Sequence, residues 1–450
     1  MHRMLKCLAL TAIVVLAGTW TVTHGQGYTP GSLDPSFGTD GATSMSLSPN
    51  LIRKVAVQRV GGEDMVLAVG NGTWRLARHR ANGSLDADFG VRGVVTKTFK
   101  GGAGNLDGGV VVQLDGKLLV AGAVPVTIGK NTVNAFAVGR FNANGTTDTS
   151  FGTNGVVAVA ASPDGPTLAS SATGVVVQAN GYIVVVGNAG TADGKKCLSV
   201  VRLLPGGGLD TTFGTGGRFS YRHTAGFFTN ASAVTTQTVT DAQGQPEERI
   251  VVAGFGENAN YPALNYDFGL VLRLTANGAL DGTFGAGTGI ATIRIPSALV
   301  SYFRGVAIDS LNRIVAAGQV MYRVGSAYLY DRVVARFLED GEADGDFNGG
   351  ALFIERLANS VSVYGVAVDP DDRILVAGIY NSSSESGGAV WRLASDGSVD
   401  TGFGTAGMAG YPSAQFYDIA LVDGTNTYVT AGRILSKNST SYWTLWRYFY

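Results

Sequence analysis

Hydrophobic residues in this chain fall in runs of four to seven, rich in Val, Ile, Leu and aromatics and bounded by Gly, Asn and Asp. Residues 108–157 show the order well: Gly109 to Gln113, a turn at Asp115-Gly116, Lys117 to Gly122, a loop, Phe136 to Phe141, a polar phrase from Gly145 to Gly152, and Val156 to Val159. Short apolar runs between turn residues predict strands, and the tight connections predict four antiparallel strands per unit.

The polar phrase, Gly-x-x-Asp-x-x-Phe-Gly, recurs along the chain. Its aspartates are Asp34, Asp86, Asp148, Asp210, Asp281, Asp344 and Asp400, and its aromatics are Phe37, Phe89, Phe151, Phe213, Phe284, Phe347 and Phe403. Successive aspartates are 52, 62, 62, 71, 63 and 56 residues apart, so one supersecondary unit is reused with loops of varying length. The phrase glycines Gly83, Gly145, Gly278 and Gly397 follow Asn or Asp, as turns with positive φ require.

Two further features keep register with the phrase. The second strand of each unit ends in a small or apolar residue and a glycine: Val69-Gly70, Ala121-Gly122, Val186-Gly187, Ala253-Gly254, Ala317-Gly318, Ala377-Gly378 and Ala431-Gly432. Seven phrases and seven such pairs predict seven units, and the small side chains suggest close approach of neighbouring sheets. The third strand carries an arginine eight residues before the phrase aspartate: Arg78, Arg140, Arg202, Arg273, Arg336 and Arg392. The aspartate is placed to pair with this arginine or to accept the turn's backbone donors, and the phenylalanine to seal the gap between units.

Arg447 has no phrase after it, and the Asp34 phrase has no arginine before it. If the chain closes into a ring, residues 31–48 supply the phrase and outer strand that the last unit lacks, and closure removes exposed sheet edges. The expected fold is all-β, a seven-bladed β-propeller of four-stranded antiparallel blades closed by an N-terminal strand on the C-terminal blade. The Val-Val-Val-Gln strand lies innermost, starting near Ile52, Gly108, Ala172, Ala231, Gly305, Gly365 and Asp418.

Composition narrows the compartment and partners. Charged residues are 15%, glycines number 65, and Lys plus Arg (33) against Asp plus Glu (34) leave a net charge of -1. No basic tract is present to neutralise phosphates, which argues against nucleic acid. Arg3 and Lys6 precede a short apolar run from Cys7 to Gly18, the pattern of a signal peptide over residues 1–25 with cleavage near Gln26. The mature chain, 26–450, is expected as one propeller domain with no membrane span, exported to the periplasm, the cell surface or the medium, and monomeric. The aromatic stretch Trp443 to Tyr450 fits the closing blade better than a membrane barrel, whose strands need about 9–11 residues.

Candidate chemistry is sparse. After export Cys197 is the sole cysteine, so no internal disulfide forms, and only His79 and His223 remain, too few for an imidazole metal cluster. The sixth phrase, Asp340-Gly-Glu342-Ala-Asp344-Gly345-Asp346, superficially resembles a calcium loop, but Ala351 stands where the bidentate Glu belongs, and a solvated turn is the simpler reading. Inner strands end at Gln58, Gln113, Gln178, Gln237, Asp309, Asp369 and Val422. Asp309 and Asp369 are candidates for paired carboxylates at the channel, or for caps of the following turn. No catalytic residue, cofactor or metal is assigned.

The run Asp115 to Gly155, with Arg140, the Gly145–Gly152 phrase and Ala121-Gly122 in register, resembles the delta-60 repeat, a bacterial repeat family of exported proteins. The likeness covers essentially residues 31–450; Asn348 departs from it in place of the last phrase glycine. It implies a fold and a bacterial origin, and no catalytic residues.

Loops between second and third strands share a face with the connections between blades. The variable segments 125–134, 257–267, 320–331 and 380–388 lie on it, with Tyr261, Tyr266, Tyr322, Tyr328 and Tyr330 as candidate ligand-binding residues, since aromatic faces suit sugars or extended peptides. The expected function is non-enzymatic binding or scaffolding toward a glycan, peptide or envelope partner. The alternative is a glycan hydrolase, lyase or lactonase with acids at the channel. If the arginine and aspartate do pair, Arg140→Ala lowers the melting temperature; an unchanged melting curve would count against the pair.

Overall fold

The computed structural model describes residues 28–47, 51–70, 74–99, 104–223, 227–241, 243–258, 268–295, 298–355, 360–382, 385–435 and 441–450. The leader 1–25, Tyr261 and Tyr266 lie outside them. β1 (Ala42–Met45) stands first and alone in sequence. Then come β2 to β5 (Ile52–Val60, Glu63–Gly70, Trp74–His79, Val94–Lys97), β6 to β9 (Asn105–Val112, Leu118–Ile128, Asn131–Phe141, Val156–Val159) and β10 to β13 (Ser170–Val177, Ile183–Gly190, Lys196–Leu203, Arg218–Tyr221). β14 to β17 (Phe227–Thr240, Pro246–Asn258, Phe268–Leu274, Ile290–Ile293) and β18 to β21 (Val300–Ile308, Ile314–Val324, Ala327–Phe337, Leu352–Glu355) follow. The last are β22 to β25 (Ser360–Val368, Ile374–Asn381, Ser386–Leu393, Met408–Pro412) and β26 to β28 (Ala414–Val422, Thr427–Leu435, Ser441–Phe449).

The fold is all-β and propeller-like, built of four-stranded antiparallel sheets. Five stand separately, and an eight-stranded sheet is two such sets joined by one parallel bridge, Tyr330 to Ser360. β1 is the outer strand of the sheet formed by β26, β27 and β28, pairing Ala42 with Trp446 and Met45 with Trp443. First strands pack side by side: β2 on β6, β6 on β10, β10 on β14, β14 on β18, β18 on β22, β22 on β26, and β26 on β2. Apolar clusters fill the gaps between successive sheets, for example Leu119, Phe136 and Phe151 against Ala172, Val185 and Val201.

The phrase acts as a lock between neighbouring sheets. Each arginine's Nε donates to the aspartate's Oδ2 at 2.6 to 2.8 Å, including Arg447 to Asp34. The other oxygen, Oδ1, accepts the backbone N–H two residues on, at 2.9 to 3.3 Å, so both proposed roles of the aspartate are filled at once. The guanidinium lies 4.5 to 4.9 Å from the centroid of the phrase phenylalanine, and all seven rings are fully buried.

The lock reaches the next unit through its backbone. In six of the seven copies the residue after the phenylalanine donates its N–H to a carbonyl in the turn before the following phrase: Gly38 to Asn82, Gly90 to Asn144, Gly214 to Asn277, Gly285 to Asp340, Asn348 to Asp396 and Gly404 to Pro30. Arginine Nη1 groups donate to the same turns, Arg140 to Pro205, Arg273 to Glu339 and Arg447 to Ala81 among them. Such approach demands glycine: at Gly145 φ is +84° and an added Cβ would lie 2.9 Å from the Phe89 ring. Asn348, the departure from the phrase, adopts φ 50° and donates Nδ2 to the Leu352 carbonyl, a conformation asparagine tolerates.

Only at Gly70 does the second strand end at its glycine; the other second strands run on past it, for example to Ile128 beyond Gly122, and the glycine has a different reason from the one its recurrence suggested. The first strands all carry a β-bulge, between Ile52 and Lys54, Asn105 and Gly109, Ala172 and Gly174, Ala231 and Ala233, Phe303 and Gly305, Val363 and Gly365, and Phe416 and Asp418. The glycine sits opposite the bulge, where a Cβ on Gly254 would strike the Asn230 carbonyl oxygen and one on Gly318 that of Tyr302. The close approach is thus chiefly within a sheet. Because the chain continues through the bulge, the first strands start up to five residues earlier than the apolar pattern indicates, at Val300 rather than Gly305.

Asp34→Ala leaves the largely buried Arg447 guanidinium on Phe37 without its carboxylate. A loss of roughly 3–5 kcal/mol in urea unfolding is expected, and an unmoved midpoint would show that the N-terminal segment does not support the last sheet.

Candidate functional site at the channel mouth

A β-bulge re-aims one side chain. Here the residues at the bulges are Arg53, Asp107, Thr173, Ser232, Arg304, Tyr364 and Tyr417, and all of them line a single cavity of about 350 Å³ between the first strands. Lys54, Asn188, Asn230, Ala231 and Phe255 complete its wall. A smaller cavity of about 170 Å³ shares Lys54 and Thr173 with it and adds Val55, Gly108 and Asp418. Phe255 and Asn188 come from the far ends of second strands, which places the mouth on the face of the variable loops.

The two cavities together hold three cations against two carboxylates. Arg53 Nε is 3.3 Å from Asp107 Oδ1, and its guanidinium is 5.2 Å from the Tyr417 ring. Lys54 Nζ is 3.5 Å from Asp418 Oδ1, while Asp418 Oδ2 accepts the Val55 N–H at 2.9 Å, so Asp418 also ties β26 to β2. Burial pushes the Asp418 carboxyl above its ordinary range, and the Lys54 ammonium opposes that rise. Tyr417 donates its hydroxyl to Gln415 Oε1 at 2.6 Å, with its phenol raised by burial, and its ring meets Tyr364 edge to face at 5.1 Å.

Arg304 differs from the other two cations. Among the described residues no carboxylate lies within ion-pair distance of it, whereas Arg53 and Lys54 each face one; its buried Nε, like that of Arg53, has no hydrogen-bond partner. Its guanidinium sits 5.6 Å from the Phe255 ring and 5.4 Å from Tyr302, two rings packed perpendicular at 4.5 Å.

The residues singled out in the sequence fall elsewhere. Tyr322 packs on the cluster containing Phe303, Val320 and Phe337. Tyr328 and Tyr330 lie on the opposite face of the same β19–β20 hairpin, Tyr328 being 43% exposed. They belong to the same face of the molecule as the mouth without lining it. Asp309 and Asp369 cap their turns, each accepting two backbone N–H groups and the Nε of Arg313 or Arg373, at 2.7 and 2.6 Å. Gln58 and Gln237 each receive Nη1 of the lock arginine and donate to the next turn.

Asp344 of the acidic sixth phrase is held by Arg336, and Asp340 Oδ1 accepts the Glu342 N–H. Among the described residues no three His, Cys, Asp or Glu side chains cluster as metal ligands. Cys197 is buried against the Ala189 carbonyl and Ser199, and burial raises its thiol. His223 Nδ1 lies 3.2 Å from the Tyr221 hydroxyl, and its ring packs on Phe268. A larger groove of about 1040 Å³ runs between outer elements near Pro163 and Asn277; its arginine, Arg218, already donates to the Ala160 and Gly216 carbonyls.

Residues 113–151, 178–213 and 370–403 match the family model described as "Domain of unknown function (DUF5122) beta-propeller", which identifies them as β-propeller repeats. No curated protein matches the chain. Among solved structures, the polysaccharide lyase Uly1 is similar at TM-score 0.48 and 11% identity, covering 97% of this chain and 95% of that one. Sqt1 from Chaetomium thermophilum is similar at TM-score 0.37 and 9% identity over 87% and 84%, and a Bombyx mori GH32 beta-fructofuranosidase at 0.33 and 8% over 93% and 94%. No helix among the described residues is long and apolar enough to cross a membrane.

His79 supplies a test of burial. It is 2% exposed, Nδ1 has no partner, and desolvation lowers its pKa to about 4 from the usual 6.5. The unfolded chain therefore takes up this proton first as pH falls, so stability is unaffected above about 6.5 and declines down to about 4, by about 3 kcal/mol in all. His79→Phe is expected to remove that part of the decline in denaturant midpoints between pH 7 and 4.5; an identical pH dependence would contradict it.

Proposed function

We propose that the chain is an exported binding propeller of delta-60 type, a closed ring of seven blades in one domain of residues 26–450, that holds a glycan or peptide group at the mouth of its axial channel. The observation that carries this reading is the convergence of seven bulge side chains on one cavity. Closure is supported by three links between the ends: Asp34 to Arg447, Gly404 to Pro30, and Asp418 to Val55.

Binding is favoured over hydrolysis or lyase chemistry because Asp309 and Asp369 are held by backbone donors and arginines, and Asp107 and Asp418 each face a cation. The β19–β20 hairpin, with Tyr328 and Tyr330, forms part of the rim an extended ligand would cross, and Tyr261 and Tyr266 belong to the corresponding segment of the preceding unit. A screen of the purified 26–450 protein against polysaccharides and peptides, with and without calcium, tests the reading. Tyr364→Ala is expected to weaken binding about tenfold, or about 1.4 kcal/mol, without moving the melting temperature, and Tyr328→Ala with Tyr330→Ala to weaken long ligands only. Full affinity in the Tyr364 variant would remove the mouth from the site.

A further inference from the structure

We infer that the ligand group seated at the mouth is a carboxylate-bearing sugar residue, its carboxylate taken by Arg304. This rests on the binding reading above and adds the ligand's chemistry.

The charge balance of the mouth is the starting point. Arg53 faces Asp107 and Lys54 faces Asp418, so these four groups largely neutralise each other. Arg304 is left over. A guanidinium with no carboxylate near it is retained at a cost unless something anionic completes it, and here its Nε is already shielded from water without a partner. Phe255 and Tyr302 lie 5.6 and 5.4 Å from the guanidinium carbon and supply ring faces but no acceptor for its charge, so its N–H groups are suited to a planar, bidentate acceptor. A carboxylate has that geometry.

The rest of the wall specifies what carries the carboxylate. None of the seven bulge residues is aliphatic, so the mouth offers no apolar pockets of the kind that read peptide side chains. Tyr364 offers an aromatic surface, and Ser232 and Asn230 offer groups for hydroxyls. An aromatic face beside dense hydrogen-bonding groups suits a pyranose ring, whose C–H face is apolar and whose rim is polar. A cavity of about 350 Å³ is at the lower end of ligand sites and takes a single residue of a chain rather than a length of it.

The test is an NMR or calorimetric titration of the 26–450 protein with D-glucuronate, D-glucose, inorganic sulfate and a short peptide with a free C-terminal carboxylate. D-glucuronate is expected to bind at least tenfold tighter than the other three and to weaken between 50 and 500 mM NaCl. Arg304→Gln is expected to lose at least tenfold for D-glucuronate, with Arg304→Lys in between. The salt dependence of the unmodified protein gives the answer if the variants do not fold. Equal binding of glucose and glucuronate, sensitive to Tyr364→Ala, would overturn the anionic specificity and leave the channel site standing. Equal or tighter binding of sulfate or of the peptide would overturn the sugar assignment. Unchanged glucuronate binding in Arg304→Gln would overturn the role of Arg304, and no binding of any probe would overturn the site with it.

Discussion

The interaction on which the structure depends is the arginine, aspartate and phenylalanine lock. One guanidinium pairs with a buried carboxylate, stacks on a buried ring and donates to a turn of the following unit, so intrasheet order and intersheet docking are one event. Burying such a pair is favourable only when its remaining donors and acceptors are satisfied. The aspartate's second oxygen on the N–H two residues on, and the guanidinium's second nitrogen on the neighbouring carbonyl, meet that condition at most copies. Arg392 is the exception: its Nη1 has no partner, at the copy whose neighbouring turn would come from the start of the chain.

With the locks fixing the outer half of each sheet, the inner half is free to be shaped by the bulges. Six of them insert one residue into a first strand and the one in β6 inserts two, and the glycine opposite gives the room. The scaffold therefore presents one variable side chain per unit to the cavity between the first strands while its hydrogen-bonded frame stays constant. Arg, Asp, Thr, Ser, Arg, Tyr and Tyr occupy these places, so diversity is confined to positions where it does not disturb packing.

Much of this was legible in the sequence, and the rest was hidden for identifiable reasons. The lock could be read because its parts are short-range and repeated in register: arginine and aspartate are eight residues apart in six of the seven copies, as Arg140 and Asp148 are. The Ala-Gly pairs were visible but their cause was not, since a glycine spared for its own sheet's bulge looks the same as one spared for a neighbouring sheet. The mouth residues were missed because a bulge breaks the alternation by which strands are recognised, so Arg304 and Tyr417 fell before the apparent strand starts. A usable signal existed: the residue just before Gly305, Gly365 and Gly174 varies freely in type while its neighbours do not. The tyrosine-rich hairpin drew attention by composition, yet strand alternation sends Tyr322 to the core side and Tyr328 to the other.

The pairing of β1 with β28 joins segments about as far apart as the chain allows, Asp34 and Arg447 being 413 residues apart in sequence. In every other lock the arginine and aspartate are eight residues apart. During synthesis the early units can therefore assemble as they appear, while the final sheet waits for its third strand. The entropy of closing so long a loop grows only slowly with length, so the delay costs time more than stability. Until then the chain is an unfinished row with bare edges at both ends, which is the interval in which association between copies competes with completion.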